Sequence, residues 1–415
     1  MEADVIEVLR HPQFRRLFTA QVVALAGTGL LTVALGLLAY DLAGRGAGAV
    51  LGTALAIKMV AYVVVAPVVS AAAERVPRRG LLVSADVIRL GIALMLPFVG
   101  QIWQIYVLIF VLQSASATFT PAFQAVIPAV LPDERDYTRA LSLSRLAYDL
   151  ESLLSPVLAS VLLVVASYHR LFLGTALGFA VSAIMVIGTP LPRLMPADRS
   201  IPLVRRMTRG AAIMSARPEL RGLLAMNLAV AAATALVIVN TVVYVRDLLH
   251  GPAWAVGFAL AVFGGGSMVT ALCVPGLVGR VPDRQLMLTG CAILPVGLCA
   301  AMMLPVAPIG WRWVLLVAIW AALGAGTSLI NTPSARLLRA GSDSDTRTAV
   351  FTAQFSLSHA CFLVTYPIAG WIGAALGQFT ASAVLAMLAT LATVTAARVW
   401  PVGIASDAER VSTGA

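Results

Sequence analysis

The chain has 415 residues, of which 60% are hydrophobic and only 12% are charged, and its formal net charge is +10. A soluble domain normally carries about 25% charged residues, so this composition excludes an ordinary soluble protein and favours one embedded in a lipid bilayer. The positive charge does not indicate nucleic-acid binding, because most arginines stand in short clusters between long apolar runs, as in membrane proteins.

The long apolar runs predict an all-α membrane protein. About 20 apolar residues span the hydrocarbon core, and each spanning segment must satisfy its own backbone hydrogen bonds, which favours helix. We expect twelve transmembrane helices, at residues 17–40, 47–73, 80–100, 104–131, 139–167, 170–191, 218–246, 254–279, 285–306, 311–338, 347–376 and 378–399.

The positions of the arginines predict the orientation. An even number of spans puts both termini on one side, and the arginines near both ends, Arg10, Arg15, Arg16 and Arg398, make that side cytoplasmic. The first span is then an uncleaved signal anchor. We expect a multi-pass monomer in the bacterial cytoplasmic (inner) membrane, with the lipid bilayer and a small substrate as its partners and no nucleic acid.

The two halves of the chain are predicted to be repeats. Arg75-Val-Pro-Arg-Arg79 follows the second span and Arg280-Val-Pro-Asp-Arg284 follows the eighth, 205 residues later. Internal repeats of this kind are typical of secondary transporters with a central site. The predicted organisation is an N-terminal six-helix half at 1–191, a cytoplasmic linker at 192–217, a C-terminal six-helix half at 218–400 and a short cytoplasmic tail at 401–415.

One motif carries a family resemblance. Ser70-Ala-Ala-Ala-Glu74-Arg75-Val-Pro-Arg78-Arg79 resembles the major facilitator signature GxxxDRxGRR between the second and third helices, with serine and glutamate in place of glycine and aspartate. The resemblance implies the major facilitator fold, with two pseudo-symmetric six-helix halves, and a gating role for Glu74, Arg75, Arg78 and Arg79 at the cytoplasmic side. The alternative is that these arginines only anchor the helix ends.

A second resemblance is narrower. The segments WQIYVLIFVLQSASATFTPAFQ and YTRALSLSRLAYDLESLLSP are similar to a branch of exporters that includes drug, siderophore and nickel efflux proteins, above all the nickel-resistance permeases of the NreB type. The resemblance implies an efflux antiporter for metal resistance. The chain ends SDAERVSTGA, without the histidine-rich tail associated with that type, so capture of metal by the tail is unsupported.

Two ionisable residues are predicted near the membrane midplane. Glu151 lies twelve residues beyond Arg139, and His359 lies twelve residues beyond Arg347 in the repeat-related span, or about 18 Å along a helix. Ionisable groups at this depth are costly and mark pathways or internal pairs. A carboxylate and an imidazole suit Ni²⁺ or Co²⁺, or proton coupling, so both are candidate ion-binding and proton-coupling residues. The alternative is that both are hydrogen-bonded in the core.

Asp149 is a candidate third ligand. Arg145 lies four residues before it, on the same helix face, so the two side chains are predicted to pair. If they do not, Asp149 joins Glu151 as a second anionic group.

Lys58 is the single lysine of the chain and lies in the middle of the second predicted span. A buried lysine can lose its proton, which arginine essentially cannot do. Proton coupling and a paired structural role are both open for this residue.

Other polar residues complete the candidate set. Asp86 and Arg89 lie three apart near one end of the third span and are predicted to support the gate. Gln113, Asn227 and Asn331 fall in spans that line the cavity of the family's fold, which makes them candidate substrate contacts. Such residues also hydrogen-bond neighbouring helices.

These observations predict a secondary active exporter working by alternating access, driven by protons and exporting Ni²⁺ or Co²⁺. The proton gradient would supply the energy and the divalent metal would be cargo, with no cofactor. The alternative is proton-coupled export of drugs or siderophores from a more apolar cavity. An enzyme is not expected, because the sequence contains no catalytic motif such as HExxH, GxSxG or a P-loop.

Overall fold

A computed structural model describes residues 8–65, 77–131, 133–191, 203–277 and 280–400. Some side chains within these ranges, including those of Arg145 and Asp149, are not described. In this part of the chain the long helices are α1 Pro12–Ala43, α2 Ala47–Val60, α3 Arg78–Met95, α4 Ile102–Val130, α5 Glu134–Val165, α6 Tyr168–Ile187, α7 Leu203–Ala216, α8 Pro218–Val243, α9 Ala253–Leu277, α10 Asp283–Ala301, α11 Ile309–Ala340, α12 Ser344–Pro367 and α13 Gln378–Val399.

Three of these helices end in π-helical turns. Ala61–Val65 extends α2, Tyr244–Leu248 extends α8, and Ile368–Ile372 extends α12 before a last α-helical turn at Gly373–Leu376. A π-helical turn widens the helix locally and is frequent at functional sites.

Within the described ranges, ten helical stretches are long and apolar enough to cross a membrane. One of them, Pro12–Val65, contains both α1 and α2, which meet at Gly44 with a positive φ of 53°. Helix α5 begins with charged residues and is apolar only over Leu154–Val165. The twelve expected spans therefore correspond to α1–α6 and α8–α13, and the prediction of an all-helical membrane fold is confirmed.

Small residues let the helices approach closely. On α1, Gly27 lies against Gly178 of α6, and the Thr175 hydroxyl of α6 donates to the Gly27 carbonyl over 2.8 Å. On α11, Gly324 faces the Phe263 carbonyl of α9. Association inside a bilayer depends on such van der Waals packing, because lipid gives helices little hydrophobic reason to associate.

The sequence repeat has a structural counterpart. Arg79 at the start of α3 donates to the Ile187 carbonyl at the end of α6. Arg284 at the start of α10 donates to the carbonyls of Trp400 (2.8 Å) and Ala397 (3.2 Å) at the end of α13. Equivalent arginines thus cap the last helix of each half, where unpaired carbonyls and the helix dipole favour a cation.

The connection between the halves contains a helix that the sequence analysis did not predict. Residues 192–217 were expected to form a polar linker, yet α7 occupies Leu203–Ala216. Gly210 of α7 packs against the Ala349 carbonyl and the Ala353 methyl group of α12. The helix is stabilised by this docking onto the second half, which a reading of local polarity does not reveal.

The arginine cap on α13 makes a testable contribution to stability. Replacing Arg284 with Gln leaves carbonyls at the end of α13 without their charged donor, so we expect the free energy of unfolding to fall by about 1–2 kcal/mol. Thermal unfolding of the purified protein in detergent measures it. The matched control is Arg339→Gln, which removes an exposed arginine at the same end of the bundle. An equal effect of both substitutions would contradict a capping role.

Candidate functional site

The structure brings three of the candidate residues together at mid-depth. Glu151 and His359 lie near the middle of α5 and α12, and Lys58 lies in the last turn of α2, just before its π-helical extension. Lys58 interacts electrostatically with both Glu151 and His359. The group joins the first half, α1–α6, to the second half, α8–α13.

Glu151 faces α1 across a glycine. Its Oε1 atom lies 2.8 Å from the point where a Cβ atom on Gly29 would stand, and the Ser155 side chain lies closer still. Glycine is required here because any side chain would collide with α5. In the described part of the chain no hydrogen bond or ion pair reaches the Glu151 carboxylate, which is half-buried. It is therefore an ionisable group at membrane depth that is not fixed by a partner.

Lys58 is half-buried and lies one turn before the π-helical segment of α2. Its Nζ atom stands 6.0 Å from the centroid of the Tyr62 ring. No carboxylate among the described residues lies within 4 Å of the ammonium group, so Lys58 is held by electrostatic attraction and by the ring face and not by a direct ion pair.

His359 belongs to an aromatic cluster. Its ring centroid lies 4.0 Å from Phe355, 5.8 Å from Tyr62 and 6.5 Å from Phe362. Its Nδ1 atom is 2.7 Å from the Phe355 carbonyl oxygen, so Nδ1 carries a proton and donates it. This leaves Nε2 as the ring nitrogen that can accept a proton or contact a ligand.

The sequence analysis missed the aromatic members of this site and Gly29. Tyr62 follows Lys58 by four residues, while Phe355 and Phe362 lie four before and three after His359. Residues at these spacings share a helix face, so the signal was present on each helix. The meeting of the two faces depends on how the halves dock, which the sequence does not give.

The neutral polar candidates are placed differently. Asn227 of α8 and Gln354 of α12 exchange two amide hydrogen bonds of 3.0 Å, so Asn227 joins two helices of one half. Gln113 is buried on α4, and Asn331 is exposed on α11. Their predicted contact with substrate remains a prediction, as does that of Asp149, whose side chain lies outside the described part.

The predicted gate is only partly described. Glu74 and Arg75 lie outside the described residues, Arg78 begins α3, and Arg79 caps α6. Asp86 and Arg89 form a buried ion pair on α3.

That buried pair ties helices of the first half together. The Ser182 hydroxyl of α6 donates to Asp86 over 2.7 Å. The Arg89 guanidinium lies between the rings of Phe119 on α4 (4.2 Å) and Phe179 on α6 (4.6 Å). Described contacts of the pair thus lie within α3, α4 and α6, which favours a structural role; the gating role stays a prediction.

The two halves are joined at one end of the bundle. We call the end where α1 begins and α13 ends the terminal end, and the opposite end the far end. Three side-chain hydrogen bonds between described residues cross the halves, and all lie toward the far end: Arg45 Nε to Asp247 Oδ2 (2.9 Å), Ser160 Oγ to the Trp254 carbonyl (3.0 Å) and Trp371 Nε1 to Thr53 Oγ1 (2.9 Å). The Arg246 guanidinium also lies 5.6 Å from the centroid of the Tyr40 ring.

Glycines close the far end further by bringing backbone against backbone. A Cβ atom on Gly52 of α2 would stand 2.5 Å from the Tyr366 carbonyl oxygen of α12, and one on Gly257 of α9 would stand 2.9 Å from the Pro156 carbonyl of α5. Gly370 lies against the carbonyl of Gly48. Only glycine permits these approaches.

Toward the terminal end, the mid-depth group includes an exposed aromatic ring. Phe355, whose ring is 6.5 Å from Tyr62 of the other half, remains 50% exposed. The described side-chain hydrogen bonds between the halves thus lie toward the far end, and the mid-depth group is itself partly exposed.

A duplicated helical bundle with ionisable groups at mid-depth between its halves is typical of secondary transporters. The sequence pattern of the Major Facilitator Superfamily matches residues 17–314. The chain belongs to this superfamily, as its loop motif between the second and third helices indicated.

Curated relatives match part of the chain. Macrolide efflux protein A of Streptococcus pyogenes is 24% identical over 219 residues, which are 51% of this chain and 53% of that protein. The uncharacterized MFS-type transporter YfiS of Bacillus subtilis is 24% identical over 218 residues, 50% of this chain and 51% of that protein. The chain thus spans about half the length of the curated relatives it matches. The nickel-resistance branch is not confirmed by these relatives.

Solved structures match the whole fold. The nucleoside transporter NupG superposes with a TM-score of 0.72 at 13% identity, covering 94% of this chain and 100% of that one. A bacterial homolog of the human lysosomal transporter Spinster superposes with a TM-score of 0.71 at 11% identity, covering 96% of this chain and 98% of that one. At these identities the likeness establishes the fold alone.

The contact between Gly29 and α5 can be tested by adding one methyl group. We expect Gly29→Ala to lower the free energy of unfolding by about 1–3 kcal/mol, since the new Cβ would overlap Ser155 and displace Glu151. Thermal unfolding in detergent measures the change. Gly265→Ala on α9, where nothing lies within 4 Å of the added atom, is the matched control. Equal stability of the two variants would show that α1 and α5 are not in contact at Gly29.

The ion pair at the far end should bias the bundle toward closure there. We expect Asp247→Asn to increase the population with a separated far end, and the double exchange of Arg45→Asp with Asp247→Arg to restore closure, because opposite charges again face each other. Double electron–electron resonance measures the distance between spin labels at Gly100→Cys and Gly310→Cys, two open positions at the far end of the two halves. The native cysteines are replaced first.

The control for that experiment is Arg170→Gln, which removes an exposed arginine near the far end. A distance distribution that Asp247→Asn leaves unchanged would show that the pair does not hold the halves together. Failure of the charge exchange to recover closure would point to a local role for each residue.

Proposed function

We propose that this protein is a secondary active exporter of amphipathic organic molecules, with Glu151 at the centre of the transport route. The observation that carries the proposal is the mid-depth site itself. A carboxylate without a described hydrogen-bond partner faces a lysine and a cluster of aromatic rings contributed by both halves. Large apolar surfaces with a few convergent polar groups are typical of sites for organic ligands.

The proposed direction of transport is outward. Arginines concentrate at the terminal end, which the positive-inside rule assigns to the cytoplasm, together with both termini. The conformation seen here is then sealed toward the outside and accessible from the cytoplasm, ready to load cargo. Macrolide efflux protein A, a relative of this chain, is also named for outward transport. The crystal structure of the bacterial Spinster homolog, which shares the fold, is inward-facing and unoccupied.

The proposed cycle couples cargo to protons through Glu151. In the conformation seen here, cargo entering from the cytoplasm meets the Glu151 carboxylate and the rings of Tyr62 and Phe355. The halves then rock, which breaks the far-end contacts and opens the site outward. A proton taken up by Glu151 from outside neutralises the carboxylate, so that cargo held by the negative charge leaves. The protonated site then returns to face the cytoplasm and releases its proton there, which restores the carboxylate and resets the transporter.

Export of Ni²⁺ or Co²⁺ is the second candidate. Glu151 and His359 both interact with Lys58 at the same depth, and His359 Nε2 is the free ring nitrogen. Two observations weigh against it. Among the described residues no group of three or more His, Cys, Asp and Glu side chains lies together, and the Lys58 ammonium repels a divalent cation. The organic cargo fits the site better.

Cell accumulation assays distinguish the two candidates. In a host lacking its own drug exporters, we expect cells expressing the protein to hold at least about threefold less erythromycin than vector cells and an equal amount of Ni²⁺. Glu151→Gln should return erythromycin to the vector level, because the variant cannot alternate between charged and neutral forms. The matched control is Glu219→Gln, which removes a carboxylate in the first turn of α8 and should preserve efflux.

Lower Ni²⁺ with unchanged erythromycin would overturn the organic cargo in favour of the metal. Unchanged levels of both, with the protein present in the membrane, would refute the exporter. Efflux that survives in Glu151→Gln would remove this residue from the coupling mechanism.

A further inference from the structure

Lys58 is the only lysine in a chain that otherwise uses arginine as its cation. It stands in the transport route, where an ionisable group is expensive. Arginine would bring the same positive charge, so charge balance alone does not explain the choice of lysine at this position.

The way Lys58 is held differs from the way the other mid-membrane cation is held. Arg89 is fixed by a direct ion pair with Asp86 and by two aromatic rings. Lys58 is attracted to Glu151 without a direct ion pair to any described residue, and its ammonium fronts the face of Tyr62 at 6.0 Å. A flexible four-carbon stem and a compact charge let such a group move away without breaking a bidentate contact.

The contacts of Lys58 are the ones an organic cation would seek. A carboxylate supplies the counter-charge, and the faces of aromatic rings attract cations. In this structure the lysine ammonium lies near both. Lys58 also interacts electrostatically with His359, and Arg89 with Tyr62. The site therefore already lies in a positive field, and a second cation enters only if Lys58 withdraws.

We propose that the Lys58 ammonium occupies the position that the charged group of the cargo takes when it binds. The cargo is an organic monocation with an apolar body, and it competes with Lys58 for Glu151 and the Tyr62 face. The inference rests on the proposed function and names the cargo class of that site. It gives the lysine a role in selectivity, since a cargo molecule must displace it from Glu151 in order to bind. No covalent change is involved: one cation replaces another beside the carboxylate.

The size of the competition can be estimated. Two like charges held in one partly desolvated site repel each other, and at full strength this repulsion would lower affinity by a factor of about 30. Because Lys58 can partly withdraw, the measurable effect of removing its charge should be smaller, about tenfold.

Binding of tetraphenylphosphonium, a rigid organic monocation, tests the proposal in the purified full-length protein. We expect Lys58→Gln to bind it about tenfold more tightly than the wild type. Lys58→Arg should bind it about tenfold more weakly, because a guanidinium can hold Glu151 in a bidentate pair. Binding of the neutral dye Nile red should change by less than about twofold in Lys58→Gln, since no charge is in competition. Weaker tetraphenylphosphonium binding in Lys58→Gln, or an equal gain for Nile red, would overturn the proposal.

A second measurement needs no substitution at Lys58 and so does not depend on the folding of a variant. Reductive methylation with ¹³C-formaldehyde keeps the positive charge and labels only Lys58 and the α-amine, because the chain has no other lysine. We expect tetraphenylphosphonium to shift the dimethyl-lysine NMR signal and leave the α-amine signal in place. Glu151→Gln should abolish the shift. A lysine signal that stays unchanged while tetraphenylphosphonium binds would contradict displacement.

The failure of this inference is distinguishable from failure of the proposed function. If wild-type cells export no organic compound, the exporter itself is refuted. If they export erythromycin while Lys58→Gln weakens tetraphenylphosphonium binding, the exporter stands and the tethered-cation role of Lys58 falls.

Discussion

The free-energy cost of an unpaired charge inside a bilayer governs this structure. Each ionisable group in the hydrocarbon region must be neutralised by a partner, reach water, or be excluded. The protein uses the first solution for Asp86 and Arg89, which are buried together with Ser182 and two phenylalanine rings. It uses the second for Glu151 and Lys58, which attract each other without a described direct ion pair and are both partly exposed. The first arrangement is rigid, and the second leaves two charges able to exchange partners.

Sequence reasoning predicted the features that this cost imposes directly. Twelve runs of apolar residues predicted the helical bundle, and the rarity of charge within them singled out Lys58, Glu151 and His359, which the fold brings near one another. The repeat of arginines after the second and eighth spans predicted two related halves. In the structure Arg79 and Arg284 cap the last helix of each half.

The features that sequence reasoning could not predict depend on packing between distant segments. Asn227 is hydrogen-bonded to Gln354, which lies 127 positions away, so no local pattern reveals the pair. Tyr62 and Phe355 were hidden for the same reason. Helix α7 is formed from an arginine-rich connection that reads as a loop, and Gly210 docks it on α12. In each case tertiary contact decides between outcomes that the local sequence leaves open.

The seam of glycines at the far end has a kinetic consequence. Where Gly48 meets Gly370 and Gly52 meets Tyr366, main chain lies on main chain, and glycine contributes no side chain that must change rotamer when the surfaces part. Separation therefore needs little internal rearrangement, and wetting of the newly exposed surfaces is the main work. Two such backbone surfaces separate in one step and not residue by residue. In the proposed cycle, polar contacts around the seam, such as Arg45 with Asp247, set the population in which the far end is open. The glycine contacts set the rate of opening.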